Sequence, residues 1–290
     1  MSDKMKNLLV RTASGAVLLA VVLGAILWSK WSFGVLLLAI IIGGQREFYR
    51  LATQAGYQPQ KYMGYMAGAI IFIIAFAGML FLISDSAVCD TLGLAALLLG
   101  LYIILLLPMM FVCELYRKSP TPIANIGSTI MGIVYIAIPL SLLLFIPVIL
   151  GQGEWSPLAI LLYIFIIWAN DVFAYLFGIT LGKHRLFERI SPKKSWEGFI
   201  GGILGAMAMG YVASLIMNGN PIEWIGMALV AAISGVFGDL VESLFKRSVD
   251  VKDSGHILPG HGGWLDRFDA LILSVPFVFL YLVLFAIAQA

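Results

Sequence analysis

Between Ser243 and Asp269 the chain reads SLFKRSVDVKDSGHILPGHGGWLDRFD, a run of carboxylates, cations, histidines and glycines set between two apolar stretches. Only 12% of the residues are charged, so such a density at the edge of apolar segments marks an active site. Just upstream, Asp239, Glu242, Ser243 and Lys246 fall at i, i+3, i+4 and i+7, one face of a helix. Six residues from the expected end of that helix, Asp239 lies about 9 Å inside the boundary. A carboxylate buried there costs at least ~2.5–3.5 kcal/mol, so it needs a partner or a wet cavity. A magnesium ion is one such partner, since it takes oxygen ligands, commonly one or two carboxylates plus substrate phosphates. An ion pair of Asp239 or Glu242 with Lys246 or Arg247 is the structural alternative. Asp171, in WANDVFAYLFG, lies at a similar depth on another helix. It could ligate the same ion or accept hydrogen bonds from Asn170 and its neighbours.

Two loops complete the chemistry. In PGHGG, which holds His261, Gly262 and Gly263, the glycines let phosphate oxygens approach the backbone closely. Asp266 and Asp269 follow at i, i+3 in the expected first turn of the last helix and share a face, while Arg267 points elsewhere. The other loop reads GKHRLFERISPKKSWEG. Ser191–Pro192 predicts a helix start with Lys193 and Lys194 near its first turn. Cations there oppose the helix dipole, so they are assigned to gripping a phosphate. Other chemistries drop out. The chain has no GxxxxGK[ST] phosphate loop and no HExxH, and its three histidines lack zinc-ligand spacing with cysteine.

The elements that must position these residues are membrane helices. With 61% hydrophobic residues and a mean hydropathy of +0.99, the 290-residue chain reads as an all-α, polytopic integral membrane protein. About nine apolar runs can be marked, at roughly 8–28, 32–44, 63–84, 91–113, 123–150, 156–177, 198–217, 224–245 and 270–289. The second is short and is expected to continue as helix through Gln45–Leu51. The fifth contains Pro139 and Pro147 and is expected to kink or split. If the N-terminus is cytosolic and each run crosses once, 17 of the 18 Lys and Arg fall inside and only Lys30 outside. That asymmetry predicts an N-in, C-out orientation. The outer loops are too short for a binding module, so function falls on the cytosolic side of the C-terminal half. Residues 1–155 read as scaffold and 156–290 as the catalytic region of one integrated membrane domain. The N-terminal run is expected to be retained rather than cleaved. Cys89 and Cys113 are about 36 Å apart on one helix and cannot pair.

On these residues the chain resembles the phosphatidate cytidylyltransferases, also called CDP-diacylglycerol synthases. Their C-terminal signature, S-x-x-K-R-x4-K-D-x-[small]-x2-[apolar]-P-x-H-G-G-x-x-D-R-x-D, is matched in register by Ser243, Lys246, Arg247, Lys252, Asp253, Gly255, Leu258, Pro259, His261, Gly262, Gly263, Asp266, Arg267 and Asp269. Asn170–Asp171 and Ser191–Gly198 also resemble family segments. Trp264 departs from the family, where an aliphatic residue is usual. The resemblance implies a reaction of CTP with phosphatidate, a membrane lipid, giving CDP-diacylglycerol and pyrophosphate in phospholipid biosynthesis at the cytosolic face of a bacterial-type inner membrane. It also implies Mg2+, with room for a second cation, and a homodimer; no nucleic-acid partner is expected. In this assignment Asp239, Asp266 and Asp269 hold the metal, and Lys246, Lys252, Arg267 and His261 join Asp239 and Asp266 in catalysis. Asp171, Ser191, Lys193, Lys194, Ser243, Arg247, Gly262 and Gly263 bind substrate.

Two other readings use the same residues. A CTP-dependent lipid kinase would transfer the γ-phosphoryl group instead. An ion-coupled transporter would use Asp171, Asp239 and Glu242 as a pathway, although the outer halves of the runs offer no polar residues and no repeat relates the two halves.

Overall fold

In the computed structural model the backbone is described for residues 3–84, 86–255 and 262–289, with side chains for these except 3–11, 13, 86–92 and 94–96. Helices α1 (Asp3–Trp28), α2 (Lys30–Gln54), α3 (Lys61–Leu82) and α4 (Ser86–Arg117) make up the first part. The fifth apolar run follows in pieces: α5 (Pro122–Gly132), a π-helical turn over Ile133–Ala137, α6 (Ile138–Leu142) and α7 (Ile146–Leu150). Then come α8 (Pro157–Leu181), a two-stranded antiparallel hairpin of β1 (Arg185–Phe187) and β2 (Ser191–Ser195), α9 (Trp196–Met217), α10 (Pro221–Arg247) and α11 (Leu265–Gln289). Among the described residues eight spans are long and apolar enough to cross a membrane, and α1 adds a shorter apolar stretch, Ser14–Trp28. The chain is thus an all-α polytopic membrane protein.

Local chemistry sets five of the helix starts. Ser29, Ser156 and Ser195 each accept a backbone N–H three residues on, and Asn220 accepts that of Ile222. Pro122, Pro157 and Pro221 open their helices at positions where the missing N–H costs nothing. The fifth run is broken as its prolines require, because Pro139 and Pro147 cannot donate to the preceding turn. Likewise α2 runs on through Gln45–Leu51 as expected.

One expectation fails. Ser191–Pro192 does not start a helix; Lys193 and Lys194 lie on β2, and α9 begins at Trp196. Ser195 is the better cap, its hydroxyl 3.1 Å from the Gly198 N–H, and this start keeps both cations out of the positive end of the helix. Strand alternation then leaves Lys193 exposed and turns Lys194 partly inward.

The core lies where the broken run meets α8 and α11. Ile136, Leu140, Leu144, Ile166, Val275 and Val278 are fully buried there, and the Tyr163 hydroxyl pairs with Ser274 Oγ at 2.7 Å. The closest packing follows the C-terminal helices, α8 on α9 and α10 on α9 and α11. At Gly238 this contact permits no side chain: a Cβ would stand 2.5 Å from the Asp269 carbonyl oxygen. The α10 and α11 backbones therefore meet at the level of Asp239 and Asp269.

Candidate functional site

The meeting of α10 and α11 at Gly238 brings Asp239, Glu242 and Asp269 together, with a carboxylate oxygen of each within 4.8 Å of the others. Glu242 is 1% exposed; its Oε2 touches Lys246 Nζ, one helical turn on, and its Oε1 has no hydrogen-bond partner. Ser243 Oγ donates to Asp239 Oδ1 at 3.3 Å, and Asp269 Oδ1 accepts the N–H of Ala270 at 2.8 Å. The helical face read from the sequence is therefore real, and Glu242 completes the cluster.

Asp266 stands elsewhere. Its Oδ1 lies 2.6 Å from Lys246 Nζ, and its Oδ2 accepts from Ser254 N (2.9 Å) and Gly263 N (2.7 Å) and lies 2.9 Å from Ser254 Oγ. These contacts bind Asp266 to the loop before α11, next to the carboxylate cluster rather than inside it. Lys246 links the two, touching Glu242 and Asp266 at once. On the other side Lys194 Nζ reaches Asp239 Oδ2 at 2.5 Å. Lys246 and Lys194 thus stand against three of the four carboxylates, Glu242, Asp266 and Asp239.

Two cavities flank the cluster. The first, about 490 Å3, runs between α8, α9, α10 and the hairpin and is lined by Asp171, Asp239, Arg185, Lys193, Lys194 and Ser195 among others. The second, about 460 Å3, is bounded by α1, α8 and α11. Asp171, Asp266, Arg267 and Asp269 form its polar end, and Leu18, Leu19, Val22, Trp168 and Phe268 help make the rest apolar. Asp171, an exposed residue of α8, borders both. Asp171 of α8 and Asp239 of α10 thus line one cavity.

The remaining residues singled out from the sequence are more scattered. Ser191, Arg247 and Lys252 line neither cavity: Ser191 opens β2, Arg247 donates to the Val251 carbonyl at 2.9 Å, and Lys252 is exposed on the loop after α10. Gly262 takes φ of +81°, a left-handed conformation that suits glycine. His261 lies outside the described residues.

Three residues at the site were not assigned to it from the sequence. Glu47 of α2, 4% exposed, accepts from Ser254 Oγ, Trp264 N and Leu265 N at 2.8–3.0 Å. Arg50, one turn on, donates to the Ser254 carbonyl. Tyr135, on the π-helical turn, packs edge-on against Phe245 with its buried hydroxyl unpartnered and in the electrostatic reach of Asp269, Glu242 and Asp239. A glutamate and an arginine in the helical continuation of an apolar run were the available signal for α2; nothing in the sequence marks Tyr135. Trp264, the departure from the family pattern, lies over Gly43 of α2 and stacks on Phe268.

Comparison with known proteins gives one consistent answer. Residues 9–285 match the model of the cytidylyltransferase family. The chain is 40% identical over 163 residues to a phosphatidate cytidylyltransferase of Rickettsia prowazekii, covering 53% of this chain and 70% of the relative. It is also 40% identical over 164 residues to the Rickettsia bellii protein of that name, covering 54% and 69%. A phosphatidate cytidylyltransferase of Bacillus subtilis is 47% identical over 133 residues, 43% of this chain and 49% of the relative.

Proposed function

The chain belongs to the cytidylyltransferase family, and from that premise we propose that it joins CTP to phosphatidate, forming CDP-diacylglycerol and releasing pyrophosphate. One observation carries the reading: a basic, polar cavity and a largely apolar one open on either side of a single carboxylate cluster. A water-borne nucleotide suits the first and a lipid the second.

The cluster fits a hard divalent cation. Its donors are all carboxylate oxygens, and Glu242 Oε1 is buried without a partner. Asp239, Glu242 and Asp269 would hold Mg2+, which when bound supplies charge neutralisation for the triphosphate. Lys194 and Asp171 stand at the edge of that shell, and Asp266 supports it through Lys246.

The rest of the chemistry falls to the protein's own side chains. Lys193, Lys194 and Arg185 bind the triphosphate in the first cavity. Arg267 receives the lipid phosphate in the second, while Leu18, Leu19, Trp168 and Phe268 contact the acyl chains. A phosphatidate oxygen forms the new bond to the α-phosphorus of CTP. The α–β bridging bond breaks, and its electron pair leaves with pyrophosphate. The attacking oxygen is already anionic, so no side chain need take its proton; alignment and charge neutralisation dominate. The positive-inside pattern of the basic segments supports a first cavity facing the cytosol and an N-terminus inside, in the inner membrane of a bacterial-type cell. There a substrate anchored in the bilayer meets one arriving from water.

The test uses purified protein, phosphatidate, Mg2+ and CTP labelled either in cytosine or in the γ-phosphate. Cytosine label in the extracted lipid is expected. Transfer of the γ-label instead would identify a kinase and overturn the proposal.

A further inference from the structure

The loop that carries Gly262, Gly263 and the start of α11 is held from outside the C-terminal half. Glu47 Oε1 accepts the Trp264 N–H at 2.9 Å, and Oε2 accepts the Leu265 N–H at 3.0 Å. These are among the N–H groups at the beginning of α11 that its own backbone cannot satisfy. A carboxylate there also sits at the positive end of the helix dipole. Glu47 therefore caps α11 from another helix. Oε2 is also 2.8 Å from Ser254 Oγ, which lies 2.9 Å from Asp266 Oδ2. The hydroxyl has one hydrogen and can serve only one carboxylate at a time. The fit excludes added bulk: at Gly263 a Cβ would overlap the Glu47 carboxylate, and at Gly255 it would stand 2.7 Å from Glu47 Cδ. Arg50 fastens the same loop through the Ser254 carbonyl.

We propose that Glu47 is a positioning residue of the active site, clamping Ser254, residues 262–264 and the first turn of α11 so that Asp269 keeps its place beside Asp239 and Glu242. The proposal rests on the cytidylyltransferase reading for its consequence, though not for its geometry. Residues 1–155 then supply part of the catalytic apparatus, beyond the scaffold read from the sequence.

Glu47→Gln is nearly isosteric, but its NH2 must face a backbone N–H in either orientation of the amide. The amides of 262–266 should then exchange with solvent roughly tenfold faster or more, the cost of losing a charge-assisted bond. The Mg2+ concentration for half-maximal cytidine transfer should rise roughly fivefold or more, with the KM for CTP changed less than about twofold. Ser254→Ala, a milder change, should shift both readouts in the same direction by less, and it serves if Glu47→Gln does not fold. A glutamate needed only for folding would lower the yield and kcat while leaving the Mg2+ midpoint and the 262–266 exchange as in wild type, and that result overturns the proposal. Exchange measured with Mg2+ alone needs no substrate. It therefore decides the clamp even if wild type transfers no cytidine, a failure that would count against the activity instead.

Discussion

Lys246→Met should destabilise the protein by about 3–5 kcal/mol, the loss seen when one partner of a buried ion pair is removed. The lysine side chain is 10% exposed, those of Glu242 and Asp266 are 1% and 7%, and both carboxylates touch its single nitrogen. Methionine fills similar space but leaves two buried like charges facing each other. At roughly 5 Å and an effective dielectric of about 20, their repulsion alone is about 3 kcal/mol. Carboxylate desolvation, no longer offset by an ammonium group, adds to it. Tryptophan fluorescence on heating in detergent, at one fixed scan rate, reads the effect as a fall in apparent Tm. At about 2–4 °C per kcal/mol for a chain of this size, a drop of about 6–20 °C is expected. The double variant Lys246→Met with Glu242→Gln removes one of the two charges and should recover at least half of that. A single variant within about 2 °C of wild type, or a double variant no more stable than the single, would refute the reasoning.

Glu242→Gln alone should leave the fold standing and raise the Mg2+ midpoint for cytidine transfer roughly tenfold, since one charged oxygen ligand is lost; an unchanged midpoint in a metal titration after chelation would remove Glu242 from the ion's shell. Lys193→Ala should raise the KM for CTP roughly tenfold, the worth of one charge-assisted bond, and leave that for phosphatidate alone. Steady-state kinetics with each substrate varied separate the two, and a change confined to phosphatidate would reverse the assignment of the cavities. For orientation, single cysteines replacing Lys30 or Lys252 in a chain with Cys89 and Cys113 changed to serine should differ in labelling. An impermeant maleimide applied to intact cells should mark position 30 and spare position 252. The opposite pattern would invert the topology.

Much of the site was legible because helical periodicity is local. Asp239, Glu242, Ser243 and Lys246 declare a shared face by spacing alone, and the contacts among them follow. Which carboxylate joins them from α11 was not legible. Asp266 and Asp269 are both acidic and share a face, and the choice depends on the height at which the two helices meet. Gly238 sets that height, but a glycine in an apolar run could equally face lipid. The hairpin was misread for another reason. Ser191–Pro192 and Ser195 both resemble helix starts, and the dipole penalty on Lys193 and Lys194 was assigned to function although it also argued against a helix there.

The buried glutamates show where reading from sequence stops. Glu47 and Glu114 follow the ends of apolar runs and Glu242 stands within one, and the fold buries them to 4%, 4% and 1% exposure. Sequence treats them alike, and so does burial. Their oxygens do not. Glu114 accepts from Asn125 on one oxygen and from Gln60 and Arg117 on the other, at 2.7–2.9 Å, which ties α4 to α5 and to the segment before α3. Glu47 is equally satisfied, but by Ser254 and two backbone amides at the start of α11, so its work is to fix a loop. Glu242 alone keeps an oxygen without a partner, and it keeps it within reach of two other carboxylates. Leaving a buried acceptor unmade costs about 1–3 kcal/mol, more for a charged group. A fold that bears this cost at Glu242 while meeting every demand of Glu47 and Glu114 leaves an oxygen open beside two other carboxylates, where the proposed cation would sit.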